Sequence, residues 1–209
     1  MPAVVDHDAR RAELARIAAD VIAAEGVEAA TVRAIARAAG FSTKVVSHYF
    51  QDKRALLLMT YRFAAGSSAQ AAAESAGEDD ATAYLLSLLP ARPAMIRNWK
   101  VWLAFWGFAF SDPDFAQEQR EQVLAARDQL AAILARDARF SHLGAQTRVD
   151  AARDLMTTVM GVALQAAFDS KNWPAETQAE AVLSRLEAWE AARPSPKARP
   201  KPQPLGGGL

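Results

Sequence analysis

The segment from residue 31 to 54, TVRAIARAAGFSTKVVSHYFQDKR, constrains the fold most, because it contains two short helical patterns separated by a glycine. On a wheel of about 100° per residue, the apolar side chains of the first pattern share one arc. Its members are Val32, Ile35, Ala36 and Ala39. Gly40 can adopt the positive φ that ends a helix. Thr31 and Ser42 are favourable N-caps for the two helices, so the segment predicts a tight helical hairpin.

The second helix has one polar and one apolar side. The polar side contains Thr43, Lys44, Ser47 and His48, and the apolar side contains Val45, Val46, Tyr49 and Phe50. No acidic residue occurs from Ala29 to Gln51, whereas Arg33 and Arg37 add positive charge. An ordinary hairpin within a helical bundle would have a similar apolar pattern. The polar face and the missing acids favour a helix-turn-helix that places its second helix in a DNA groove.

Contacts to bases and contacts to phosphates have different roles in such a complex. Thr43, Lys44 and Ser47 lie on the side that would face the groove. The Lys44 ammonium could donate to guanine O6 and N7, and the Thr43 methyl could pack on a thymine methyl. The polar side therefore predicts a recognition helix.

The run AIARAAGFSTKVVSHYFQDKRALL resembles the N-terminal domain of TetR-family transcriptional regulators. The matching positions are Ile35-Ala36, Ala39-Gly40, Tyr49-Phe50 and Lys53. The resemblance implies an all-α protein, with a three-helix DNA-binding domain and a larger helical domain for ligand binding and dimerisation. It also implies contacts to the DNA backbone by Thr31, Ser47, His48, Tyr49 and Lys53. The alternative for His48 is a solvated side chain, and the alternative for Tyr49 is core packing alone. With Ser42, Thr43 and Lys44, these residues form the predicted DNA-binding set.

Composition limits the remaining possibilities. The 209 residues are 51% hydrophobic and have no formal net charge, so a DNA-binding chain must segregate its charges. The absence of cysteine excludes disulfides and thiolate metal sites. No apolar run is long enough to span a membrane, so we expect a cytoplasmic protein.

Breaks in the helical periodicity predict about nine helices and no strands. The predicted boundaries are a DNA-binding domain at 1–52, a sensing and dimerisation domain at 53–193 and a disordered Pro-rich tail at 194–209. We expect residues 1–8 to be a loose arm and Gly66-Ser67-Ser68 to weaken a long helix. Ser111-Asp112-Pro113 should break the chain and start a new helix, with Pro113 suited to the first helical position. The basic tail could touch DNA nonspecifically or simply be solvated.

The segment NWKVWLAFWGFAF is unusually rich in aromatic residues. Trp99, Trp102, Trp106 and Phe110 fall within roughly 80° of one another on the wheel. Core packing explains any one of them, but a stripe of three tryptophans also suits a cavity that binds an organic cation. The predicted ligand-binding residues are Trp99, Trp102, Phe105, Trp106, Phe110 and Tyr61. Tyr84 and Asp169 are further candidates because they lie on flanking helices.

A closer resemblance involves both segments. SHYFQDKRALL and VWLAFW, followed by a turn that contains Asp-Pro, are similar to the BetI branch of the TetR family. Members of that branch repress the genes for conversion of choline to glycine betaine, and these repressors respond to choline. The resemblance implies a ligand-released repressor of a palindromic operator, with choline as one ligand. Another small hydrophobic or cationic molecule is the alternative.

The apolar C-terminal helical patterns offer a dimer surface. One recognition helix reads only a few base pairs, so useful affinity needs a two-fold pair. The predicted interface residues are Leu155, Val159, Val162, Ala166, Val182, Leu186 and Trp189. Burial within a single chain would explain part of this surface equally well.

Two other classes of protein compete with this interpretation. An enzyme lacks support, because the three histidines are scattered and neither a paired metal motif nor a Gly-rich phosphate loop is present. A helical scaffold would leave the acid-free hairpin unexplained. We therefore predict a DNA-binding regulator without a cofactor or metal.

Overall fold

The computed structural model describes residues 7–76 and 79–192, and this part of the chain consists of helices joined by turns and loops, with no strand. The predicted tail at 194–209 and the first six residues of the predicted arm lie outside the described residues. Within these ranges the nine helices are α1 (His7–Glu25), α2 (Val32–Ala39), α3 (Thr43–Tyr49), α4 (Lys53–Ala76), α5 (Ala81–Ser87), α6 (Pro93–Ala109), α7 (Pro113–Arg136), α8 (Ala145–Phe168) and α9 (Ala175–Glu190). Short 3₁₀ turns occupy Val27–Ala29 and Ala138–Phe140.

The beginnings of two helices can be compared with the sequence prediction. The first helix begins at His7, so the last two residues of the arm predicted at 1–8 are helical. The α7 helix begins at Pro113, as the sequence predicts, and Asp112 Oδ1 accepts from the backbone N–H of Asp114 at 3.0 Å. A proline is tolerated at the first helical position because its missing N–H would be unpaired there.

The α4 helix also continues across Gly66, where we expected it to weaken. Two serines after that glycine attach α4 to α6, because the amide of buried Asn98 donates to Ser67 Oγ at 3.0 Å and to Ser68 Oγ at 2.8 Å. Tertiary hydrogen bonds therefore compensate for the low helix propensity of this stretch.

Three hydrophobic clusters follow one another along the molecule. The first joins α1, α2, α3 and the beginning of α4 around Leu14, Ile35, Val46, Phe50 and Leu56. The second joins α1, α4, α6 and α7 around Ile22, Tyr61, Val101, Phe105 and Phe115. The largest joins α5 to α9 around Tyr84, Trp99, Leu134, Leu155 and Leu186. The middle cluster therefore ties the hairpin end of the protein to the distal helices.

None of the helices in the described ranges is long and apolar enough to cross a membrane.

Candidate nucleic-acid interface and ligand cavity

The hairpin α2–α3 is held by its own caps. Thr31 Oγ1 accepts from the backbone N–H of Ala34 at 3.1 Å, and Ser42 Oγ accepts from that of Val45 at 3.3 Å. Gly40 has φ 69°, a left-handed conformation that favours glycine. These predictions from local sequence are confirmed, and together they set the direction in which α3 leaves the turn.

The α3 helix presents its polar side to solvent. Thr43, Lys44, Ser47 and His48 are exposed, whereas Val46 and Phe50 are buried in the first cluster and Tyr49 is half-buried. The backbone N–H groups of Thr43 and Lys44 also lie in the first turn of this helix. The exposed side chains of α3 lie on an open helical face, which is compatible with contact to a DNA groove. The roles of these side chains toward DNA remain predictions.

Val45 does not belong to the supporting apolar face, and this part of the prediction is wrong. Its side chain is 38% exposed and lines a surface groove together with Phe41 and Lys44. The reason is that α3 has only seven residues and buries a narrow stripe, so one apolar position at the edge of the predicted arc stays outside.

His7, which lies in the predicted arm, packs beside α3. The His7 ring lies 6.0 Å from the His48 ring and 5.7 Å from the Tyr49 ring, measured between centroids. The Arg10 guanidinium stacks over Phe41 at 4.6 Å. The beginning of α1 therefore places side chains next to the predicted phosphate contacts. The sequence prediction missed these contacts because it placed His7 in a loose arm rather than in α1.

The predicted phosphate contact Lys53 already has a partner. Its ammonium pairs with Glu28 Oε2 at 2.9 Å. Glu28 lies one residue before the acid-free window, and its side chain is 85% exposed. The basic surface of the hairpin is thus bounded by a carboxylate that competes for this lysine.

A cavity of about 130 Å³ lies among α4, α5, α6, α7 and α8. The predicted residues Tyr61, Tyr84, Trp99, Trp102 and Trp106 line it. The other side chains in its wall are aliphatic, methionine, serine or glutamine, including Ser68, Leu88, Gln119, Gln122, Val123, Gln129, Met156, Val159 and Met160. No Asp, Glu, Lys or Arg of the described residues lines this cavity.

Three predicted ligand residues lie elsewhere. Phe105 is fully buried in the middle cluster, where it stacks on Phe115 with ring centroids 5.4 Å apart. Phe110 is 92% exposed at the end of α6, and Asp169 is exposed at the end of α8. These assignments to the cavity are wrong. Phe105 faces the middle cluster instead of the cavity, and Phe110 and Asp169 lie at helix ends that are open to solvent.

The two tyrosines in the wall are held by neighbours on α7. Tyr61 Oη donates to Gln119 Oε1, and Tyr84 Oη donates to the backbone carbonyl of Ala126 at 3.2 Å. Burial, with Glu118 nearby, raises the pKa of Tyr61, and burial raises the pKa of Tyr84 to about 12. Both phenols are therefore neutral at physiological pH and act as hydrogen-bonding wall groups.

The three tryptophans of the stripe differ in their hydrogen bonds. The indole N–H of Trp99 donates to the carbonyl of Leu88 at 2.8 Å. The Nε1 atoms of Trp102 and Trp106 are shielded from solvent and have no acceptor among the residues that the structure describes. Trp99 is thereby anchored to the protein, whereas the other two donors are free to bind something else.

Most of the predicted dimer residues are in the interior of the protomer. Leu155, Val159 and Val182 are completely buried, and Leu186 is 2% exposed, all within the largest cluster. Side chains with almost no exposed surface offer no contact area to a second copy, so the interface assignment is wrong for these four. They hold α8 and α9 against the protomer's own helices.

The remaining predicted interface residues have less decisive positions. Val162 and Ala166 are each 6% exposed, and half-buried Trp189 donates from Nε1 to Asp154 Oδ2 at 2.7 Å. The outward side of α8 contains a different apolar strip. Gly161 and Phe168 are exposed there, Phe168 by 83%, and Leu164 is half-buried between them.

Direct contacts connect the cavity helices with the hairpin end. Arg54 at the start of α4 donates from Nε to Asp112 Oδ2 at 2.8 Å and from Nη2 to Asp114 Oδ2 at 2.5 Å. This pairing, the α4–α7 clamp, lowers the pKa of Asp112 to about 2 through the Arg54 hydrogen bonds. On the other side, Arg97 of α6 pairs with Asp20 of α1 at 3.2 Å.

A capped, exposed helix-turn-helix attached to a larger helical domain with an internal cavity defines a regulator of the helix-turn-helix class. The family model described as "Bacterial regulatory proteins, tetR family" matches residues 15–59, and the model "BetI-type transcriptional repressor, C-terminal" matches residues 77–193. The chain belongs to the TetR family of transcriptional regulators, with a C-terminal part of the BetI type. This family consists of regulators rather than enzymes, as the inventory of residues predicts.

Known relatives agree with this assignment. The HTH-type transcriptional regulator BetI of Pseudomonas aeruginosa is 32% identical over 131 residues, which cover 57% of this chain and 64% of the relative, just under two thirds of its length. A transcriptional regulator from Rhodococcus sp. Rha1 superposes with a TM-score of 0.74 at 28% identity, covering 85% of this chain and 94% of the other.

A regulator from Saccharomonospora viridis, solved in complex with choline, has a TM-score of 0.74 at 18% identity. The superposition covers 86% of this chain and 96% of that chain. At this identity the likeness concerns the fold.

Proposed function

We propose that this protein is a homodimeric repressor that binds a palindromic operator through α2 and α3 and is released by a small molecule. The proposal depends chiefly on one observation, the solvent-exposed polar side of α3 with Thr43, Lys44 and Ser47. The caps of the hairpin orient this side before DNA is present. As a bacterial regulator of this kind, the protein would act in the cytoplasm, where the DNA is.

We infer that base recognition and backbone contact are divided between two lysines. Lys44 is exposed in the first turn of α3, where a side chain can reach a guanine edge. Lys53 begins α4 at the end of the hairpin and is placed for a phosphate contact. Thr31, Ser42, Ser47, His48 and Tyr49 complete the proposed contact set.

Titration of variants against DNA from the chain's own upstream region and against scrambled DNA tests this division. Lys44→Ala should lose about 1–3 kcal/mol of discrimination, whereas Lys53→Ala should weaken binding to both DNAs and reduce the salt slope by about 1 for each protomer. Lys171→Ala is the matched control, since it removes the same charge at an exposed position between α8 and α9. Equal losses on both DNAs for Lys44→Ala would contradict the assigned role, and no binding by the unmodified protein would reject the function.

Dimerisation would use α8 and α9. Two recognition helices must be set about 34–36 Å apart to read successive half-sites on one face of DNA. The strip of Gly161, Leu164 and Phe168 supports this choice, because it is an apolar surface that the protomer leaves open. A small residue at 161 would also allow two helices to approach closely.

The cavity is the proposed effector site. A ligand releases DNA if it binds better to the protomer arrangement in which the recognition helices are wrongly spaced. The cavity walls support such coupling, since α6 contacts α1 through Arg97 and α7 contacts α4 through the α4–α7 clamp. Movement of either wall would therefore be transmitted to the hairpin.

Choline is the first ligand to test. The choline complex of the related fold and the aromatic walls support a quaternary ammonium, since a desolvated cation–π contact contributes up to ~2 kcal/mol. A different small hydrophobic molecule is the second candidate, because none of the described side chains in the wall is charged. Choline should change the tryptophan fluorescence and release operator DNA. No change at millimolar choline would reject choline and leave the second candidate.

A further inference from the structure

Two hydrogen-bond donors in the cavity wall are left without an acceptor. Trp102 and Trp106 lie one helical turn apart on α6, and both line the cavity. Neither Nε1 atom has an acceptor in the described part of the chain, although both are shielded from solvent. Buried N–H groups without partners are rare in folded proteins and usually have a functional reason.

The tyrosines, Ser68 and Trp99 of the wall already have hydrogen-bond partners. Tyr61 Oη donates to Gln119, and Tyr84 Oη donates to the carbonyl of Ala126. Ser68 Oγ donates to the carbonyl of Ala64 at 2.9 Å. The indole of Trp99 is likewise bound to Leu88, so among the described residues of the wall the solvent-shielded donors without a partner are the two indole N–H groups of Trp102 and Trp106. An indole can only donate, so its complement is an acceptor.

We propose that the effector carries an oxygen that accepts from Trp102 and Trp106, as a hydroxyl, carbonyl or carboxylate oxygen can, while the rest of the molecule fills the aromatic cage. This inference rests on the proposed effector site and specifies the ligand class. The oxygen has two lone pairs and can serve both donors, and a carboxylate can offer one oxygen to each. Because the wall contains no cationic side chain among the described residues, the ligand is uncharged, zwitterionic or cationic rather than a net anion.

The size of the cavity restricts the ligand further. Its volume of about 130 Å³ is close to that of engineered cavities of roughly 150 Å³ that bind benzene. A compact molecule fits without rearrangement of the helices. Glycine betaine and acetophenone have this size and carry an acceptor oxygen. Tetramethylammonium and ethylbenzene are similar in shape and lack it.

Calorimetric titration of these four probes tests the inference on the full-length protein. The pairs are glycine betaine with tetramethylammonium and acetophenone with ethylbenzene. Within at least one pair, the member with the oxygen should bind about tenfold more tightly, because it gains two hydrogen bonds. In the double variant Trp102→Phe, Trp106→Phe, which keeps both rings aromatic, this preference should disappear while the affinity for the other member is retained. Trp99→Phe is the control, since its N–H is bound within the protein, and the preference should survive there.

Side-chain ¹⁵N resonances provide a second readout. The indole N–H signals of Trp102 and Trp106 should move with the oxygen-bearing member and that of Trp99 should move less. A preference that persists in the double variant, or equal binding within both pairs, would overturn the acceptor role and leave the effector site standing. Failure of all four probes to bind, with DNA binding intact, would overturn the effector site as well. Thermal unfolding of each variant establishes that it is folded.

Discussion

Removal of the Glu28 carboxylate should tighten DNA binding. In the free protein Glu28 holds the Lys53 ammonium at 2.9 Å, and this lysine must leave the carboxylate to contact a phosphate. Glu28→Gln removes the competitor and also one negative charge from the edge of the basic hairpin. In the variant, the Lys53 ammonium has no Glu28 carboxylate to leave before it contacts a DNA phosphate.

The size of the effect follows from the exposure of the pair. Lys53 and Glu28 side chains are 39% and 85% exposed, and exposed pairs contribute about 0.2–1 kcal/mol. A dimer breaks two such pairs, so the gain is about 0.4–2 kcal/mol, or roughly 2- to 30-fold in affinity. Loss of the pair should lower the free energy of unfolding by no more than about 1 kcal/mol per protomer.

Fluorescence anisotropy with labelled operator at several salt concentrations measures the gain. Glu25→Gln is the matched control, since it removes the same charge from an exposed residue three positions earlier. In a Lys53→Ala background, Glu28→Gln should have little effect, because the lysine that it releases is gone. The reasoning is refuted if Glu28→Gln leaves the affinity unchanged, or if its full effect persists without Lys53.

Three further predictions concern packing, assembly and acid stability. Val46→Ala should lower the free energy of unfolding, measured in urea, by about 1.5–3 kcal/mol, because Val46 is completely buried. Val45→Ala should change this free energy by less than about 0.5 kcal/mol, because Val45 is exposed. Gly161→Arg should yield a folded monomer in sedimentation, since its Cβ would meet open space within the protomer; Gly107→Arg, equally open, should stay dimeric. The pKa of Asp112 is lowered from 3.8 to about 2, so the clamp stabilises the protein above pH ~4 and is lost as the pH falls toward ~2. Asp112→Asn should flatten acid unfolding followed by circular dichroism in that range, and an unchanged profile would contradict the assignment.

Local sequence was sufficient to predict the hairpin. Thr31 and Ser42 cap the helices, Gly40 adopts the left-handed conformation, and the polar side of α3 faces solvent as the wheel predicts. These features depend on residues within one or two turns of each other, so a single sequence contains the information. The all-helical fold follows in the same way from the periodicity of apolar residues.

Contacts between distant segments could not be predicted in this way. Lys53 pairs with a residue 25 positions earlier, and His7 reaches the recognition helix only because α1 extends beyond its expected start. Each of these contacts depends on the angle at which two helices cross. That angle is not encoded in the pattern of either helix alone.

The sequence by itself determined that the chain is helical, that residues 31–54 form a helix-turn-helix, and that a tryptophan stripe lies on one helix. The tertiary structure alone decided what each apolar stripe faces. Trp102 and Trp106 border a cavity, Phe105 is packed in a core, and Leu155 and Leu186 are buried inside the protomer. A helical wheel reports which side chains share a face, whereas burial depends on the helix packed against that face, which is a property of the whole fold.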